Sequence, residues 1–132
     1  GNDFILDLKL ASYDCIASKA HARMLGKLKL LSEVEVESLV EELDTILSMI
    51  KKGKFEILQE QEDCHTAIEN ILIQRLGVLG KKIHTAPSRN DQVLVAMRLF
   101  LKDQVEVCNE LCEKLIQTVD LFFRKNPFRF WC

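Results

Sequence analysis

Proline and glycine are scarce. The 132 residues hold two prolines, both beyond residue 86, and five glycines. So few chain-breakers leave little room for the many turns of an all-β fold and favour an all-α one. Long apolar runs are missing too, none approaching the roughly 20 residues of a membrane span. The opening "GNDFILDLKL" has early acids and no basic stretch, so no signal peptide is expected. Basic residues are not gathered on one segment and the net charge is −2, which argues against a nucleic-acid partner. Close cysteine pairs are absent: Cys15, Cys64, Cys108, Cys112 and Cys132 are odd in number, widely spaced and contain no C-x-x-C. Neither a zinc site nor a disulfide framework is expected, but reduced thiols of a cytoplasmic protein. No Gly-rich phosphate loop, nucleophile elbow or metal motif occurs.

What the chain does contain is helical period. Hydrophobic residues make up 48% and charged residues 29%, enough apolar matter for a core. A first helix is expected from about Phe4 to about Lys27, its apolar face carrying Leu6, Leu10, Tyr13, Ala17, Ala20, Met24 and Leu28. Ser32 with Glu35 three residues on makes a capping box. The second helix then presents Val36, Leu39, Val40, Leu43, Ile46, Leu47 and Ile50, and ends at "KKGK". A third helix is expected over Glu62 to Leu76, with Asp63 as N-cap or first-turn acid and Gly77 as stop. "GVLGKKIHTAPS" reads as a loop. A last helix starts near Ser88 to Asp91 and runs to about Arg124, with a near-heptad stripe from Leu94 to Phe122. At about 1.5 Å per residue it is roughly 50 Å long, suited to one strut of a larger bundle. The expected organisation is a helical domain over 1–88, the first long bundle helix over 89–125 and an atypical aromatic tail over 126–132.

The densest polar run is "HTAPSRNDQ", where His84, Thr85, Ser88, Arg89, Asn90, Asp91 and Gln92 gather at the mouth of that last helix. Free N–H groups and the helix dipole favour an anion there. Arg89 offers a planar fork for a carboxylate. Capping accounts for two or three of these groups, not all seven. His21 and His65 have no partner implied by spacing, so each reads first as a structural histidine.

Three strings carry a resemblance. "GKKIHTAPSRNDQV" resembles a signature of the argininosuccinate lyase family, close to G-K-x-H-T-[AG]-R-S-R-N-D-Q-V. "LASYDCIASKAHARML" resembles its first helix, and "EDCHTAIENILIQRLG" its E-D-[IV]-H-T-A-x-E segment. They fall in the family's order, and the resemblance covers about residues 5 to 124. The resemblance implies the all-α aspartase/fumarase architecture, with a homotetramer built around long helices. It implies reversible β-elimination of argininosuccinate to arginine and fumarate in arginine biosynthesis, with no cofactor and no metal. Ser18, Ser88, Arg89 and Asn90 match its substrate-binding positions. Asp63, His65, His84 and Thr85 match positions that shape the site. Pro87 stands where the family has arginine, removing a cation and an N–H together.

The family's catalytic base and acid belong to later signature regions, in a site assembled from three subunits. No catalytic residue is therefore expected within this chain, which reads as an N-terminal portion, inactive alone. Two other readings stay open: a non-catalytic helical assembly module on the same scaffold, or a sibling such as adenylosuccinate lyase.

Overall fold

The computed structural model describes residues 3–57, 63–84 and 89–126, the side chains of 3–7 and 89 excepted. Five helices follow one another: α1 (Asp3–Lys27), α2 (Glu33–Lys51), α3 (Cys64–Leu76), α4 (Val78–Lys82) and α5 (Arg89–Lys125). No strand occurs among the described residues, so the all-α expectation holds. The chain divides into two compact units, residues 1–99 and 100–132, with the division falling inside α5.

Local chemistry sets the helix ends. The α1 chain reverses through Lys29 at φ 58°, with the Leu30 N–H donating to the Leu25 carbonyl and the Lys29 N–H to that of Gly26. This is a Schellman closure with lysine at the position glycine usually fills. Ser32 caps α2 as expected: the Glu35 N–H donates to its hydroxyl at 3.3 Å, and the Ser32 N–H donates to the Glu35 carboxylate at 2.8 Å. A second Schellman closure ends α2, with Gly53 at φ 65° and the Lys54 N–H donating to the Met49 carbonyl. Asp63 caps α3 by accepting from the Thr66 N–H at 2.8 Å and the Thr66 hydroxyl at 2.9 Å.

The core of the first unit lies among α1, α2 and α3. Leu39, Leu43 and Ile46 of α2 are fully enclosed, each worth roughly 1.5–3 kcal/mol over its exposed state. From α3 come Cys64, Ala67, Ile68 and Leu72. The α1 face differs from the expected one. Its buried stripe is Ala11, Cys15, Ser18, Ala22 and Leu25, at spacings of four and three, while Met24 and Leu28 are exposed. Small residues dominate this stripe and carry little hydrophobic period, while larger side chains stand on the opposite face.

A second difference is α4, which forms inside the expected loop. Gly80 lies so close to α3 that a Cβ there would stand 2.4 Å from the Leu72 carbonyl oxygen. Ion pairs tie α1, α3 and α4 to α2 from outside. Lys19 reaches Asp44 at 2.5 Å, Arg75 reaches Glu42 at 2.5 Å and Lys82 reaches Glu35 at 2.6 Å. Such exposed pairs contribute little, because water screens them.

The second unit is described from Phe100 to Asn126. Leu101, Leu111, Leu115, Val119 and Phe122 are all exposed on it. Among the described residues no helix is long and apolar enough to cross a membrane.

Candidate functional site

Ser18 interrupts the buried stripe of α1 with a hydroxyl, and it is only 5% exposed. It lines a cleft of about 170 Å³ in the first unit. His21, three residues on, lines the same cleft from α1, together with Ala17. Ile83 closes one side, and Asp91, Gln92 and Val95 of early α5 close another. The walls are mainly apolar, with a hydroxyl, an imidazole, an amide and a carboxylate among them. Such a cleft suits a small polar ligand rather than a large one. Asp91 sits in the first turn of α5, where the helix dipole favours an acid.

One turn before Ser18 on α1 lies Asp14, fully enclosed. Its Oδ1 stands 2.9 Å from Nδ1 of His65, at the start of α3 and itself 5% exposed. The distance is that of an ion pair, but the ring N–H is not aligned with the carboxylate, so the contact falls short of a well-formed hydrogen bond. An enclosed carboxylate is costly unless paired, so the proximity of His65 is what makes Asp14 tolerable there. Beside it, burial pushes the Cys15 thiol up to about 12, and the Asp14 charge adds to the effect. The Cys15 thiol is thereby held neutral and unreactive.

Of the residues expected at the site, Ser18 lines the cleft. Asn90 is exposed in the first turn of α5. Arg89 opens that helix, its side chain outside the described residues, as are Thr85 and Ser88. Asp63 is occupied as the α3 cap, and His65 stands against Asp14. His84 lies 3.2 Å from Glu69, each about one-third exposed. Among the described residues no group of three or more His, Cys, Asp or Glu side chains is placed to hold a metal ion.

Gln92 belongs to the polar run already singled out, while Asp14 and His21 are additions to the expected set. Their signal in the sequence is positional. Asp14, Ser18 and His21 fall at spacings of four and three, on the edge of the stripe that small residues keep hidden.

Residues 1–122 match the family model described as "Lyase". An argininosuccinate lyase of Thermotoga neapolitana is 46% identical over 125 residues, covering 95% of this chain and 31% of its own length. One from Xanthomonas oryzae pv. oryzae is 48% identical over 106 residues, 80% of this chain and 25% of the relative. One from Bacteroides thetaiotaomicron is 42% identical over 121 residues, 92% of this chain and 27% of the relative. The chain therefore spans between a quarter and a third of the length of these relatives.

Proposed function

Because the chain belongs to the lyase family, we propose that it is the N-terminal segment of an argininosuccinate lyase and supplies one part of a composite active site. The observation that carries this reading is Ser18, a buried hydroxyl in an apolar stripe, lining a cleft shared with the first turn of α5. That turn is the last part of the polar run that matches the family signature.

In the proposed reaction a proton leaves the carbon beside a carboxylate, and a nitrogen departs as fumarate forms. Negative charge develops on the way, and preorganised donors stabilise it more strongly than they do the starting substrate. Ser18 and Asn90 are the hydrogen-bonding groups assigned to substrate, and Ser88 adds a hydroxyl. Arg89 is the carboxylate fork, carrying more of that duty because Pro87 brings no cation. Asp63, His65, His84 and Thr85 shape the surroundings. His65 does so through Asp14, which lies one turn from Ser18. The general base and acid are assigned to later parts of the protein, and the enzyme to the cytoplasm.

The exposed apolar residues of the second unit support a further element of the proposal, that this segment of α5 assembles with other copies into the homotetramer. Fumarate absorbance tests the whole reading. The 132-residue chain alone is expected to release none from argininosuccinate, and a longer protein that contains it to release fumarate steadily. Turnover by the short chain, prepared free of longer enzyme, overturns the assignment of base and acid to later regions.

A further inference from the structure

Resting on the lyase reading of the Ser18 cleft, we propose that His21 and Gln92 are further substrate-contacting residues, which with Ser18 bind a carboxylate of the substrate. Ser18 and His21 are three residues apart on α1, so they share one face of the helix. Both line the cleft, and Gln92 approaches from early α5. Hydroxyl, imidazole and amide are all able to donate a hydrogen bond to one anion. Their surroundings, Ala17, Ile83 and Val95, are apolar, which strengthens such bonds by lowering the local dielectric.

The cleft volume of about 170 Å³ lies below the roughly 300 Å³ at which pockets for larger ligands begin, the scale of a small organic acid or one end of a larger substrate. Asp91 supplies a carboxylate in the same lining, unfavourable to a bare dianion. The cleft therefore suits a carboxylate with a cationic nitrogen close by, as in an amino-acid-like substrate. His21 is half-buried and lines this opening rather than being enclosed in the core.

The test uses the full-length enzyme that contains this segment. His21→Ala and Gln92→Ala should each raise KM for argininosuccinate about ten-fold or more, the effect of losing a hydrogen bond to a charged group. Their kcat should stay within about three-fold, because uniform binding is lost rather than transition-state stabilisation alone. His21→Gln keeps a donor and should recover most of the lost affinity. Melting followed by circular dichroism separates binding from misfolding. If the parent enzyme turns over and KM is unchanged in both alanine variants, the inference fails while the lyase reading stands. A fall in kcat with no change in KM also overturns it. If the parent protein releases no fumarate, the lyase reading itself fails, and the inference with it.

Discussion

Asp14 and Glu35 are two acids with opposite surroundings, and each yields a prediction. Asp14 is enclosed and stands against His65. Asp14→Ala leaves a buried imidazole without its carboxylate and opens a void, so a loss of about 3 kcal/mol is expected in a denaturant-unfolding midpoint. A variant as stable as the parent contradicts a paired Asp14. Glu35 is on the surface, where the Lys82 ammonium foremost, and then the Ser32 N–H, holds its carboxyl down to about 2 from an ordinary 4.5. A depressed carboxylate contributes stability that is present above its unfolded-state value and is lost as pH falls through the folded one. The stability difference between the parent chain and Glu35→Gln should thus be full above pH 4.5 and disappear as pH drops toward 2. A difference that does not vary across that window contradicts the Lys82–Glu35 pair. At this scale much was legible beforehand. Ser32, Glu35 and Asp63 cap as their order in the chain implies, because a cap depends on neighbours three residues away. The Asp14–His65 contact was not legible, because only tertiary packing brings residues 51 positions apart together.

Helices α1 and α4 show where reading by element succeeds and where it stops. The bounds of α1, α2, α3 and α5 follow from period and capping and lie close to those expected. The buried side of α1 does not follow, since Ala11, Cys15, Ser18 and Ala22 present little area for a hydrophobic pattern to register. The five-residue helix α4 is too short for periodicity and depends on the contact of Gly80 with the α3 backbone. Gly80→Ala must push α4 off that backbone. An overpacking cost of about 1–3 kcal/mol is expected, read as a lower melting temperature. Gly53→Ala tests something else: open space surrounds it, so any cost there is backbone strain at positive φ alone. Equal tolerance of Gly80→Ala and a surface substitution contradicts the close approach of the two helices.

At the scale of the whole molecule, the contrast is between a first unit with an enclosed core and a second with apolar side chains in the open. Exposure of Leu101, Leu111, Leu115 and Phe122 together is more than an isolated soluble helix ordinarily carries. Self-association is expected, and thiol chemistry reports it. Cys108 and Cys112 are exposed on the same segment, whereas Cys15 and Cys64 are buried. Alkylation of Cys108 and Cys112 should be fast in dilute solution and slow as concentration rises, with Cys15 and Cys64 reacting only on unfolding. Rates independent of concentration, together with a monomer in sedimentation at micromolar concentration, contradict assembly through this segment. The long amphipathic pattern of α5 made its exposed apolar residues legible in the sequence, but not the cleft, whose walls come from residues 17 to 95.

The central claim is that Ser18 belongs to the substrate site of an argininosuccinate lyase. Fumarate formation from argininosuccinate, followed by ultraviolet absorbance with the full-length protein and its Ser18→Ala variant, tests it most directly. The account predicts steady release by the parent and a kcat/KM lower by roughly ten- to a hundred-fold in the variant, the cost of one lost charge-assisted hydrogen bond, at unchanged melting temperature. No release by the parent, or equal rates for the two proteins, would contradict it.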